Sequence, residues 1–145
     1  ATGSDVKGLQ GRAGNPNESS RLQAAIVMAG PMQIASGSVA EKSRTGGDKS
    51  NANHWIGRTI DHHMAMYRLA DAYEHITKDD PPILFMRGEH DRPEANQPSR
   101  DKLKEVGVWT GLKVYKDGKH GCWNRLPWFD DMVLDMDRFF REHMK

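Results

Sequence analysis

The chain has 145 residues, with 21 lysines and arginines against 20 aspartates and glutamates, a formal net charge of +1 and one cysteine. This length suffices for one domain with a core, the near-neutral charge offers no basic face for nucleic acid, and no apolar run reaches the roughly 18 residues of a membrane span. The sequence therefore predicts neither a nucleic-acid nor a membrane partner. The lone Cys122 excludes a disulfide within the chain and a zinc site built from cysteines.

The first half of the chain contains one predicted strand. Residues 1–20 are predicted to be a connecting loop, because glycine, asparagine and serine recur there without helical or strand periodicity. Residues 22–29 form a short apolar run closed by Gly30 and Pro31, which is typical of a strand covered on both faces. Residues 35–54 are polar and rich in glycine and serine, which predicts a flexible surface loop. A loose three-and-four spacing over residues 60–76 predicts a helix.

The second half contains two more predicted strands and two helices. The strands cover residues 83–87 and 112–116, and each is an apolar run bounded by turn residues. The helices cover residues 99–106 and 127–143, where apolar side chains recur every three or four positions. Apolar strands that alternate with helices indicate an α/β fold with about three mostly parallel strands flanked by helices.

Two loops of this predicted sheet carry the residues expected to do chemistry. In parallel sheets the ligand binds at the carboxyl ends of the strands. The loop after residues 83–87 contains Asp91, and the loop after residues 112–116 contains His120 between Gly118 and Gly121. An acid after one strand and a histidine after the next match the last two members of the Ser, Asp, His triad of α/β-hydrolases. In such a triad the carboxylate orients the imidazole, which takes the serine proton.

Three segments resemble one group of α/β-hydrolase esterases. Residues 80–93, DPPILFMRGEHDRP, resemble the strand and acid loop of the acetyl esterase and acetylxylan or feruloyl esterase-like, dienelactone hydrolase-like group. Residues 118–123, GKHGCW, resemble its histidine loop, and residues 19–31 are similar to its preceding strand. The resemblance implies an ester hydrolase that works through an acyl-serine on a small ester or acylated carbohydrate, with Asp91 as the acid and His120 as the base.

The sequence departs from this group in one respect that matters for function. No Gly-x-Ser-x-Gly motif occurs in the 145 residues, nor does the His-Gly-Gly type of loop that supplies an oxyanion donor. We therefore expect residues 1–145 to be a single partial domain, the carboxyl-terminal portion of an α/β-hydrolase, whose nucleophile precedes Ala1. Such a chain is expected to be nearly inactive alone.

Other residues around the two loops receive weaker predictions. Trp123, which follows the histidine, and Met32, which follows the first strand, are predicted to line the substrate pocket. Glu89 is a rival acid close to Asp91. Two serines, Ser36 and Ser38, lack the glycine two positions earlier that a nucleophile elbow requires.

Five of the histidines raise the question of a metal site, namely His54, His62, His63, His75 and His90. No H-E-x-x-H motif occurs, and two adjacent histidines point apart on a helix, so neither a metal nor a cofactor is predicted. Cys122 is expected to be a buried structural thiol.

Two other functions are consistent with the same sequence. A prolyl-oligopeptidase-type serine peptidase has the same order of acid and histidine loops. Alternatively, the chain is a non-catalytic α/β module that forms a homodimer or pairs with an amino-terminal partner segment carrying the serine, because a three-stranded sheet leaves unpaired edges that favour association.

Overall fold

The computed structural model describes residues 1–4, 6–11, 14–15 and 17–144. The chain divides into two compact units. The first comprises Ala1, Arg21–Gly30 and Thr77–Lys145, and the second comprises Thr2–Ser20 and Pro31–Ile76. The second unit forms because the long excursion between the first two strands buries apolar residues of its own, among them Ile60 and Tyr67.

The first unit is built on a parallel sheet of three strands in the order β1-β2-β3. These strands are β1 (Ala25–Met28), β2 (Ile83–Gly88) and β3 (Thr110–Tyr115), and both pairings are parallel. The predicted α/β fold is thus confirmed, with small shifts of boundary. The first strand is shorter than the predicted residues 22–29, and the third begins two residues before the predicted residue 112.

Helices cover both faces of the central strand. All six residues of β2 are buried, and alternate side chains point to opposite faces. Leu84 and Met86 share a core with residues of α5 (Trp128–His143), whereas Phe85 lies under the guanidinium of Arg100 in α4 (Gln97–Glu105). The predicted coverage on both faces therefore holds for β2.

The strand β3 is covered less completely than predicted. Leu112 is 36% exposed and Val114 is 46% exposed, so the apolar run that indicated a doubly covered strand is partly open to solvent. The reason is position, since β3 has a neighbour on one side only among the described residues, and an edge strand is less enclosed than a central one.

The two helices of the first unit agree with their sequence patterns. The predicted helix over residues 99–106 is α4, which begins at Gln97 because Pro98 fits the first helical turn. The predicted helix over residues 127–143 is α5, whose acidic first turn and basic last turn complement the helix dipole. None of the helices in the described part of the chain has the length and apolarity needed to cross a membrane.

The second unit is helical, and it corrects the predicted loop over residues 35–54. That segment contains α1 (Gly37–Thr45), a 3-10 turn at Gly47–Lys49, and most of α2 (Asn51–Ile56). Most of its polar residues are exposed, but Ser43 and Ser50 are buried, and Ser43 belongs to a hydrogen-bond network with the half-buried Asn53. The Ser43 hydroxyl lies 2.9 Å from the Tyr67 hydroxyl, which donates to Asn53 Oδ1 at 2.7 Å. The prediction was wrong because side-chain partners, which composition does not reveal, satisfy these polar groups.

The predicted helix over residues 60–76 is shorter than expected, because α3 (Ile60–Ala70) ends at a buried carboxylate. Asp71 is 1% exposed and accepts hydrogen bonds from the backbone N–H groups of Ile34 at 2.9 Å and Ala35 at 2.7 Å. Asp71 itself has an extended backbone conformation, which ends the helix.

In the predicted connecting loop over residues 1–20 the structure has a 3-10 turn at Lys7–Leu9, and residues 5, 12, 13 and 16 lie outside the described residues.

Candidate active site

The loops that follow β2 and β3 lie side by side, because parallel neighbours end at the same edge of the sheet. We name residues 88–92 the acid loop and residues 116–123 the histidine loop. The Glu89 N–H donates to the Tyr115 carbonyl at 2.9 Å, and the His90 N–H donates to the Gly118 carbonyl at 2.8 Å. A Cβ atom at Gly88 would lie 2.3 Å from the Gly118 oxygen, so only glycine allows this close approach.

Asp91 and His120 meet between these loops. His120 Nδ1 lies 3.1 Å from Asp91 Oδ2 and 3.2 Å from Asp91 Oδ1. The carboxylate side chain is 16% exposed, whereas the imidazole is 72% exposed. Because Nδ1 is engaged by the carboxylate, Nε2 on the opposite side of the ring is the nitrogen left to exchange a proton with a substrate. The structure thus brings together the two residues that the sequence singled out, and their catalytic roles stay predictions.

The rest of the histidine loop packs into the first unit. Gly121 has a positive φ of 84° and starts the 3-10 turn Cys122–Asn124. The Trp123 ring stands edge-on to the His120 ring, with centroids 5.2 Å apart. Cys122 is 2% exposed, and burial raises the pKa of its thiol. The thiol is therefore protonated and enclosed, which agrees with the structural role expected for it.

The other residues predicted for the site have the following surroundings. Glu89 Oε2 accepts a hydrogen bond from the Asp117 N–H at 2.9 Å, so the Glu89 carboxylate binds the main chain of the histidine loop. Met32 lies in the second unit and is 5% exposed. Its predicted contact with substrate, like that of Trp123, stays a prediction. Ser36 precedes α1 and Ser38 lies within its first turn.

Only folding reveals the grouping of Glu89, His90 and Asp117. One potential ligand atom from each lies within 4.8 Å of the others, and all three residues are exposed. Exposed acidic groups often approach one another in this way without an ion, and the Glu89 carboxylate already accepts a hydrogen bond from Asp117. Packing of the two loops is sufficient to explain this grouping.

Arg87 was not among the residues that the sequence patterns indicated. This residue of β2 is 4% exposed, and its Nη1 donates to the Asp91 carbonyl at 2.9 Å. A signal was present, since an arginine inside an otherwise apolar central strand needs a partner. The identity of that partner depends on the turn that the acid loop makes.

The family of this chain follows from a sequence comparison. The BD-FAE family model matches residues 1–104, well over half of the chain, and this range includes β1, β2 and the acid loop. The chain belongs to the BD-FAE family. Members of this family are esterase-like α/β-hydrolases, which confirms the resemblance and the fold class predicted from the sequence. The histidine loop lies beyond the matched residues.

Solved structures share the fold of this BD-FAE chain. A bifunctional GH43-CE protein of Bacteroides eggerthii is 23% identical with a TM-score of 0.70, and the match covers 93% of this chain and 19% of that one. A truncated carbohydrate esterase from gut microbiota is 22% identical with a TM-score of 0.69, covering 93% and 48%. The Thermogutta terrifontis esterase Est2, bound to propionate, is 20% identical with a TM-score of 0.56, covering 89% and 47%.

Identities of this size establish the fold that the proteins share, and the chain spans between about a fifth and about half of the length of the three structures. No curated protein sequence matches the chain.

Proposed function

We propose that this chain is part of a serine carboxylic ester hydrolase, to which it contributes Asp91 as the triad acid and His120 as the general base. The observation that carries the proposal is the contact of 3.1 Å between His120 Nδ1 and the Asp91 carboxylate at the carboxyl edge of the sheet. Membership of an esterase-like family and structural likeness to esterases support it.

In this mechanism the two residues have separate tasks. The Asp91 carboxylate accepts a hydrogen bond from Nδ1–H of His120, which leaves Nε2 unprotonated and stabilises the imidazolium that forms later. Nε2 takes the proton of a serine hydroxyl as its oxygen attacks the ester carbonyl, and then returns the proton to the leaving alcohol. In the second half of the reaction Nε2 activates the water that hydrolyses the acyl-serine.

The serine and the oxyanion donors are not assigned to residues of this chain. The 145 residues contain no Gly-x-Ser-x-Gly motif, so we propose that the nucleophile comes from residues outside the printed sequence, in the same polypeptide or in a partner chain. As substrate we propose a small ester or an acylated carbohydrate, because carbohydrate esterases are among the structural relatives and Trp123 offers an apolar surface beside His120.

The test uses the longest natural polypeptide that contains these residues, assayed by release of p-nitrophenol from p-nitrophenyl acetate. We expect H120A and D91N each to lower kcat/KM by about 10³-fold or more, since triad members act as a unit. The matched control is H54A, a histidine of the second unit, which should retain the parental rate. An H120A variant as active as the parent would overturn the proposal.

A second candidate is a non-catalytic module that associates with a second copy of itself. The exposure of Leu112 and Val114 on the edge strand β3 favours this candidate, because such edges pair with other chains. Light scattering of the printed chain tests it, and a monomer that retains its mass as concentration rises contradicts it.

A further inference from the structure

We infer that Arg87 is a positioning residue for the acid, holding the main chain of Asp91 so that the carboxylate lies against His120. The catalytic meaning of this inference rests on the proposed function. The geometric part of the inference concerns Arg87, Asp91 and His120, and it is tested without an activity assay.

The first observation is that Arg87 is buried with its charge. Arg87 is 4% exposed within β2, and burial lowers the pKa of its guanidinium, while the nearby charges of Asp91 and Glu94 partly oppose that shift. A buried ion loses hydration that an apolar side chain of the same volume would not lose. A buried arginine in this strand is therefore less favourable than an apolar side chain of the same volume. Its hydrogen bonds must explain why it is there.

The second observation is the choice of partners. Arg87 Nη1 donates to the Asp91 carbonyl at 2.9 Å, and Nη2 donates to the Gly30 carbonyl at 3.3 Å. Asp91 thus presents its carbonyl to Arg87 and its carboxylate to His120. The charged hydrogen bonds of Arg87 therefore hold main chain in place and leave the Asp91 carboxylate to the imidazole.

The third observation is that the Asp91 backbone is held on both sides. Its N–H donates to the Gly88 carbonyl at 3.0 Å, and its carbonyl accepts from Arg87. The next residue, Arg92, has a positive φ of 51°, which turns the chain away into the 3-10 turn at Pro93–Asn96. With the backbone held, only side-chain rotation remains to set the direction of the carboxylate. This accuracy matters, because a displacement of about 1 Å can cost about 10²-fold in rate.

The two carbonyl groups that accept hydrogen bonds from Arg87 differ in their other donors. The Gly30 carbonyl also accepts a hydrogen bond of 2.8 Å from Asn96 Nδ2, and Asn96 is 1% exposed. Loss of Arg87 would leave Gly30 with this second donor. The Asp91 carbonyl has Arg87 as its donor among the hydrogen bonds of the described residues. Removal of Arg87 is therefore expected to act on the acid loop more than on the loop after β1.

Arg100 is a matched control. It is also 4% exposed in the first unit, and burial likewise lowers the pKa of its guanidinium. Its Nη2 donates to the Pro93 carbonyl at 3.2 Å and to Gln97 Oε1 at 2.7 Å. Arg100→Met removes the same volume and charge as Arg87→Met while leaving the donor on the Asp91 carbonyl in place.

The experiment measures the tautomer of His120 at alkaline pH in the longest natural polypeptide that contains these residues, labelled with ¹⁵N-histidine. Ring nitrogen shifts report which nitrogen carries the proton, and the H120A spectrum assigns the signals. We expect the parent to favour Nδ1–H because of the Asp91 carboxylate. Arg87→Met should move the tautomer ratio about fivefold towards Nε2–H, the equilibrium effect of one hydrogen bond. Arg100→Met should retain the parental ratio.

Two results would overturn the inference. One is a folded Arg87→Met variant with the parental ratio, and the other is an equal change in Arg100→Met. If Arg87→Met does not fold by circular dichroism, Arg87→Lys carries the test. Lysine keeps the charge but lacks the planar fork that reaches both carbonyls, so an intermediate ratio is expected and a parental ratio contradicts the inference. The two proposals can fail separately. If Arg87→Met shifts the tautomer ratio but the H120A variant is as active as the parent, the positioning role of Arg87 is supported and only the proposed function is overturned.

Discussion

The acid loop and the histidine loop hold their key residues in opposite ways. Asp91 is largely enclosed, with its N–H, carbonyl and carboxylate all engaged, whereas His120 is mostly exposed and is held at Nδ1 by one partner. A carboxylate that only orients and stabilises another group gains from rigid main-chain support. An imidazole that must exchange protons with a serine, an alcohol and water needs an open nitrogen. The comparison indicates that the accuracy of the site resides in the acid loop.

Disrupting the close approach of the acid loop and the histidine loop should cause the largest loss of stability. Gly88→Ala places a Cβ atom 2.3 Å from the Gly118 oxygen, a backbone atom that cannot rotate away. We expect a loss of about 3 kcal/mol in the free energy of unfolding, measured by urea denaturation, because overpacking forces the backbone to shift.

A second glycine provides the control for that substitution. Gly30 also follows a strand, but a Cβ atom there meets no heavy atom within 4 Å. Gly30→Ala should change the unfolding free energy by less than about 0.5 kcal/mol. Equal stability of the two variants would show that the loops do not rely on the Gly88 contact.

The attachment of the histidine loop to α5 should give an intermediate, pH-dependent effect. Tyr115 precedes this loop, and its hydroxyl donates to Asp135 Oδ2 at 3.0 Å. Burial, together with the hydrogen bond to Asp135 and the negative charges of Asp135 and Asp131, raises the pKa of Tyr115 well above its usual 10.0. The folded state therefore holds this proton more tightly than the unfolded state does. The associated stability is complete below about pH 10 and falls as the pH rises further.

Tyr115→Phe tests this link. At pH 7 the variant should be less stable by about 1 kcal/mol, the net contribution of one hydrogen bond. Above pH 10 the difference should shrink, because Tyr115 ionises in the unfolded parent while it stays protonated in the folded parent, and the variant has no hydroxyl to ionise. Thermal denaturation from pH 7 to 11 measures both effects, and parallel curves for the two proteins would contradict the assigned pKa shift.

The hydrogen bond between Glu89 and Asp117 should give the smallest effect. Glu89→Ala removes the carboxylate that accepts from the Asp117 N–H, and we expect a loss of about 0.5 kcal/mol because the bond is exposed. Hydrogen exchange at the Asp117 amide should accelerate. Glu94→Ala, which removes an exposed carboxylate paired with Arg92, is the control and should leave this amide unchanged. Similar exchange in both variants would show that Glu89 does not hold the histidine loop.

The short-range patterns of the sequence were sufficient to predict the parallel sheet. Apolar runs near residues 25–28, 83–88 and 110–115 are local signals, and their separation by helices left a parallel arrangement as the simplest solution. The same locality explains why Asp91 and His120 could be selected, since each follows a strand and parallel neighbours end together. By contrast, the helices over residues 37–56 were missed, because Ser43, Asn53 and Tyr67 satisfy one another across the fold.

The sequence by itself determined an α/β chain with an acid and a histidine at one edge of a parallel sheet, because strand pattern and loop order are properties of neighbouring residues. Tertiary structure decided which carboxylate faces the imidazole, sending Glu89 to the Asp117 amide and Asp91 to His120. It also decided that a buried guanidinium should hold the Asp91 carbonyl. These choices join groups through turns and strand register, and a hydrogen bond forms only where folding brings a donor within about 3 Å of an acceptor.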